Sequence, residues 1–148
     1  MKKLILGAAA LLLSMGAAAG DARLTGDDLR EIRTVINRQI EAFRRDDAPG
    51  AFALVSPGVR EVFGTPERFL DVVRTAYSPV YRPAAVAFLD LTVIGMQDVV
   101  QQVQVTDRSG ALWLAYYAMQ RQRDGSWRTN GCHLVQPART ISAAYQPQ

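Results

Sequence analysis

The 148-residue chain is short of the side chains from which most active sites are made. It has one cysteine, Cys132, and one histidine, His133. A single cysteine closes no internal disulfide, and one Cys with one His falls short of the three or four ligands a zinc site needs. The only lysines are Lys2 and Lys3, so the rest of the chain lacks the amine for Schiff-base chemistry and the lysine of a phosphate-binding loop. No G-x-G-x-x-G run marks a dinucleotide site, and no G-x-S-x-G run presents a serine beside His133. Neither a metal nor a cofactor is expected.

What is present is 49% hydrophobic composition in a length suited to one domain with its own core. Met1-Lys2-Lys3, the apolar run Leu4 to Met15 and the small residues Gly16 to Ala19 have the three-part layout of a secretory signal peptide. The run is too short to span a bilayer. Cleavage is expected after Ala19, with Ala22 as the second choice, giving residues 1–19 as a leader and a periplasmic or secreted protein with no membrane anchor. Removing the leader changes the charge as well. The formal +3 of the whole chain falls to +1, with 15 arginines against 14 acids, and the case for a nucleic-acid partner goes with it.

The mature chain reads as helices followed by strands, the pattern of an α+β domain over residues 24–136 with a tail at 137–148. Leu29, Ile32, Ile36, Ile40 and Phe43 form one helical face within Leu24 to Asp47, and Thr25 with Asp28 fits a capping box. Asp47 and Pro49 open a short second helix, which Ser56-Pro57-Gly58 breaks. Thr65-Pro66-Glu67 starts a third whose stripe is Phe69, Val72, Val73, Ala76 and Tyr77. The prolines between Tyr77 and Pro83 predict a non-helical connector.

Four strands are expected at Ala84 to Ile94, Asp98 to Thr106, Ala111 to Gln122 and Ser126 to Gln136. A two-residue Asp124-Gly125 turn pairs Tyr117 with Cys132 and Tyr116 with His133, and a three-residue Arg108-Ser109-Gly110 loop pairs Gln101 with Tyr117. On that register Gln101, Tyr117 and Asn130 share the face that meets the helices, and Asp90 is a further candidate for the same space. The opposite face carries Val100, Leu112, Leu114, Tyr116, Trp127 and Val135 among Gln102, Thr129 and His133. It is too apolar to be left in water, so Gln102, Tyr116, Trp127 and His133 are candidate homodimer-interface residues. Arg108, Arg121, Arg123 and Arg128 gather near two hairpin tips as a charged rim.

Over Ile32 to Val135 the chain resembles a family of exported bacterial proteins, a domain of unknown function within the nuclear-transport-factor-two-like (cystatin-like) superfamily. The resemblance rests on Ile36, Gln39, Ile40, Ala42, Phe43 and Asp47, on Ser56-Pro57, and on Phe63-Gly64-Thr65-Pro66 with Phe69. It continues through Tyr77, Pro79, Tyr81 and Arg82-Pro83 to the run Gln120 to Arg128 leading into Gly131-Cys132. It implies N-terminal helices packed on a curved four-stranded antiparallel sheet, a cone that can leave a pocket. Relatives in the superfamily include cofactor-free isomerases, dehydratases and hydrolases as well as non-catalytic binding modules, and the family supplies no catalytic residues to carry over.

The residues therefore point first to a non-catalytic module that takes a small apolar ligand or a protein partner, with Asp90, Gln101, Tyr117 and Asn130 as candidate ligand contacts. The alternative is a cofactor-free isomerase, dehydratase or hydrolase, in which a pocket carboxylate such as Asp90 works beside the Tyr117 phenol. That alternative requires an acid of raised pKa in a closed pocket. A cone filled by Tyr117, Met119, Trp113 and Phe43 would remove the enzyme and ligand-binding readings and leave the protein-interaction one.

Overall fold

The computed structural model describes residues 23–137. The expected leader and both cleavage sites lie outside the described residues, as does the tail beyond Pro137. Helix α1 (Gly26–Arg44) starts where its capping box dictates: Thr25 Oγ1 accepts from the Asp28 amide at 3.1 Å, and the Thr25 amide donates to the Asp28 carboxylate at 2.8 Å. Ile32, Ile36 and Ile40 are almost wholly buried along one side, whereas Leu29, expected in the same stripe, is 37% exposed. Asp46, at φ 53, turns the chain sharply after α1. Its carboxylate is held by the Tyr81 hydroxyl and, at 2.8 Å, by Arg82.

Asp47 caps α2 (Ala48–Phe52) by accepting from the Gly50 amide at 2.9 Å. Two further helices depart from expectation. Helix α2 stops at Phe52, short of Ser56-Pro57, and that pair instead opens α3 (Pro57–Phe63), with Ser56 as N-cap and Pro57 in the first turn, where no amide donor is required. After α4 (Pro66–Ala76), Pro79 likewise sits in the first turn of a single-turn helix, α5 (Ser78–Tyr81), inside the segment expected to be non-helical.

The strands β1 (Ala85–Val93), β2 (Asp98–Thr106), β3 (Leu112–Arg121) and β4 (Trp127–Val135) form an antiparallel sheet in chain order. The fold is α+β, with the helices gathered on one face of that sheet. Val99, Val103 and Val105 from β2 and Ala115, Tyr117 and Met119 from β3 join the α1 isoleucines in one buried core. Both edge strands are bulged, β1 between Phe88 and Leu91 and β4 opposite Ala118 and Met119, and such bulges bend a sheet.

The pairings Gln101 with Tyr117, Tyr117 with Cys132 and Tyr116 with His133 are as expected. The β3–β4 turn is not. Gln122 and Ser126 close a three-residue loop, Arg123-Asp124-Gly125, with Gly125 at φ 86, so Arg121 pairs with Trp127. The bulge at Asn130 then restores the expected register from Gly131 onward. Between these two offsets the faces are exchanged, and Trp127 and Thr129, expected on the outer face, point to the helices, 2% and 4% exposed. The arginines do stand at two hairpin tips, Arg108 in the β2–β3 turn and Arg121, Arg123 and Arg128 in or beside the β3–β4 turn at the other end of β3, but only Arg108 and Arg123 are exposed there. Arg121 instead pairs with Asp28, and Arg128 donates to the Ala53 carbonyl.

Candidate functional site

A cavity of about 320 Å³ lies between α3, α4 and the β3–β4 half of the sheet, at the lower end of the ~300–1,000 Å³ usual for small-molecule sites. Its position follows from how α3 is tethered. The Leu54 carbonyl accepts from the Thr129 amide and the Ser56 amide donates to the Thr129 carbonyl, both at 2.9 Å, so residues 54–56 run beside β4. Ser56 Oγ donates to Asn130 Oδ1 at 2.6 Å while accepting from the Val59 amide. The chain is thus fixed where α3 begins, and Gly64, at φ 77, turns it where α3 ends. Between these points α3 buries no residue completely and lends Val59, Val62 and Phe63 to the wall.

The rest of the wall is mostly apolar. Phe43 comes from α1, and Phe69, Val72 and Val73 from α4. Phe69 organises the aromatic side, with ring centroids of Phe43, Phe52 and Phe63 at 5.9, 5.7 and 5.2 Å. Gln39 of α1 donates from Nε2 to the Ala51 carbonyl at 3.2 Å and to Thr129 Oγ1 at 3.0 Å, and Thr129 donates onward to the Leu54 carbonyl at 3.2 Å. These polar groups are committed to one another and to backbone.

Tyr117 is different. Its ring is 2% exposed and its hydroxyl, wholly buried, has no hydrogen-bond partner. Burial pushes the phenol well above its usual value, with Cys132 adding to the effect, so it stays protonated. Burial also pushes the Cys132 thiol up to about 12, which keeps it neutral and unreactive. An unpaired buried hydroxyl costs about 1–3 kcal/mol. Tyr117→Phe is therefore expected to raise the stability of the empty protein by about 1 kcal/mol in urea denaturation; a loss of stability would mean that the hydroxyl is already satisfied.

Of the four expected ligand contacts, the structure brings Tyr117 and Asn130 to the cavity and leaves Asp90 and Gln101 away from its wall. Asp90 is an exposed residue of the β1 bulge. Gln101 is buried and donates to the Leu89 and Asp90 carbonyls at 3.0 and 3.3 Å, satisfying the backbone that the bulge frees. Asn130 stands at the exposed rim as the extra residue of the β4 bulge. On the outer sheet face Gln102 donates to the Tyr116 hydroxyl at 3.3 Å, His133 is exposed, and Trp127 is absent, being buried against Asp28 on the other side. Sequence reasoning missed the contribution of α3, although Ser56 followed by Pro57 is a helix-start signature that could have found it.

Comparison with known proteins adds one decisive match. The family described as Domain of unknown function (DUF4864) matches residues 25–141. The chain belongs to this family. DUF4864 membership agrees with the unknown-function family of the sequence resemblance, and the α+β layout is the one that resemblance implies. Among solved structures the chain is similar to a ketosteroid isomerase-like protein from Erwinia carotovora atroseptica, at 14% identity and a TM-score of 0.49, covering 74% of this chain and 96% of that one. The curated proteins give no match. In this DUF4864 chain, among the described residues, no group of three or more His, Cys, Asp or Glu is placed to hold a metal ion.

Proposed function

We propose that this protein binds one small, uncharged, largely apolar molecule in the cavity and does so without catalysing its conversion. The observation that carries this reading is a mostly apolar cavity between α3, α4 and the β3–β4 half of the sheet. Proton-transfer chemistry needs a base within hydrogen-bond reach of the substrate. None of the described residues lining the cavity is an acid, a histidine, a lysine or an arginine, and Asp90, the carboxylate on which the enzymatic alternative relied, stands outside it. The reading includes export, supported by the three-part leader in residues 1–19.

A neutral fluorescent probe, N-phenyl-1-naphthylamine, tests the binding site. It is expected to brighten and saturate at one molecule per chain, and Val59→Trp, which fills the cavity from the half-buried face of α3, is expected to abolish the signal. Equal signals from both proteins would place the probe elsewhere and contradict the reading.

A second copy of the chain over the outer sheet face is a further part of the proposal. Val100, Leu114 and Ala118 are only half-buried there, Leu112 and Val135 are 48% and 37% exposed, and past Asp98 at its start no charged side chain interrupts them on β2 or in the middle of β3. Size-exclusion chromatography with light scattering is expected to give a dimer, with Leu114→Glu giving a monomer. A monomeric wild-type protein would remove this part alone.

A further inference from the structure

The open polar atoms of the cavity wall narrow the class of molecule it takes, on the footing that the cavity is a ligand site. We infer that the ligand is a neutral alcohol or phenol whose hydroxyl donates a hydrogen bond to Gln39 Oε1.

Gln39 is 3% exposed, and its amide is held in one orientation. Nε2 faces the Ala51 carbonyl, which can only accept, and Thr129 Oγ1, whose own proton goes to the Leu54 carbonyl, so the two ends of the amide cannot be exchanged. Oε1 is left without a donor among the described residues. Nor is it sealed. The wholly buried unpaired atom on this wall is Tyr117 Oη, which is out of a ligand's reach, whereas Gln39 Oε1 keeps accessible surface, and in a residue this buried that surface opens onto the cavity it lines. A fixed acceptor removed from bulk water is completed by a donor on whatever fills the space. The Tyr77 hydroxyl, half-buried on the same wall and also without a partner among the described residues, can give a hydrogen bond or take one. A ligand hydroxyl suits both groups, since it donates once and accepts as well. A ketone or an ether would turn only lone pairs toward Gln39 Oε1. A carboxylate would do the same and meet no cation, and an ammonium would meet no acid, because no charged side chain among the described residues lines the cavity. The phenylalanines around Phe69 leave a flat or alicyclic hydrocarbon body as the remainder of the molecule.

The test uses two probes that differ in whether the oxygen carries a proton, 2-naphthol and its methyl ether 2-methoxynaphthalene, titrated calorimetrically at neutral pH into the wild-type protein and Gln39→Met. The variant removes Oε1 yet strands no donor, because the Ala51 carbonyl still accepts from the Leu54 amide and Thr129 Oγ1 still donates to the Leu54 carbonyl. The ratio of naphthol to ether affinity is expected to be about fivefold higher in wild type than in Gln39→Met, the size of one net hydrogen bond; comparing ratios cancels the extra methyl of the ether. A second readout needs no variant and decides the matter if Gln39→Met fails to fold: with glutamine labelled at Cδ, naphthol should move the Gln39 signal well beyond the shift the ether gives, and equal shifts overturn the inference. An unchanged affinity ratio, with both probes lost in Val59→Trp, likewise overturns it and leaves the cavity as a ligand site. Failure of both probes and of N-phenyl-1-naphthylamine to bind wild type overturns both.

Discussion

Asp28→Ala is expected to lower stability by about 3 kcal/mol, while Asp27→Ala, one residue earlier, changes it by no more than about 0.5 kcal/mol. The two carboxylates belong to the same first helical turn and differ in surroundings. The Asp27 side chain is 85% exposed and its pair with Arg30 is a surface contact. Asp28 is 5% exposed and closes the capping box with Thr25, accepts from the Trp127 indole at 3.1 Å, and pairs with Arg121, whose guanidinium lies over the Trp127 ring. Removing it unseats the helix start and leaves a largely buried arginine and an indole N–H without their acceptor. The figure stands at the low end for a broken buried pair because the Arg121 side chain keeps 27% of its surface in water.

The same carboxylate sets the acid limit. Burial alone would raise its pKa, but the Thr25 amide, the Trp127 indole, the Thr25 hydroxyl and Arg121 outweigh it and hold the group well below the usual 3.8. A depressed folded pKa contributes stability that is present above the unfolded value and lost as pH falls toward the folded one. Wild-type stability should therefore decline below about pH 4, and Asp28→Ala should flatten that decline. An unchanged acid slope in the variant would remove Asp28 from this role.

Phe69→Ala is expected to cost about 3 kcal/mol by chemical denaturation and to widen the cavity. The ring is 7% exposed and touches three other phenylalanines that join α1, α2, α3 and α4, so its loss opens space against all four helices. One side of the ring already faces the cavity, which keeps the cost at the lower end for a buried aromatic. The variant should bind N-phenyl-1-naphthylamine with changed affinity while still losing it on addition of Val59→Trp. A cost under about 1 kcal/mol would mean that the cluster is not the joint of the helical layer.

Periodicity and capping signals carried most of the architecture, because both act within a few residues. Thr25 with Asp28, Asp47, and Thr65 with Pro66 mark helix starts that the structure reproduces. Strand existence was equally legible, with β2 matching its expected span from end to end. Register was harder. Asp124-Gly125 announces a turn without fixing its length, and the expected pairing of Tyr117 with Cys132 holds because a loop one residue longer is offset by the bulge at Asn130. Trp127 and Thr129 lie between the two offsets and were assigned to the wrong face. Gly131 inside a strand is the local hint of that bulge. Asp90 and Gln101 lie away from the cavity for a similar reason, since the β1 bulge turns one outward and engages the other with backbone. The cavity itself depends on contacts between residues 54–56 and β4, more than seventy positions apart, and no short-range pattern reports such a contact.

The central claim is that the cavity is a site for a neutral ligand rather than a packing defect. Native mass spectrometry on the protein purified from its native host cells tests it most directly. The account predicts one small neutral molecule retained per chain, absent from Val59→Trp prepared in the same way. Wild-type protein that carries no such mass under conditions preserving non-covalent complexes, and that gains none when N-phenyl-1-naphthylamine is added, would contradict it.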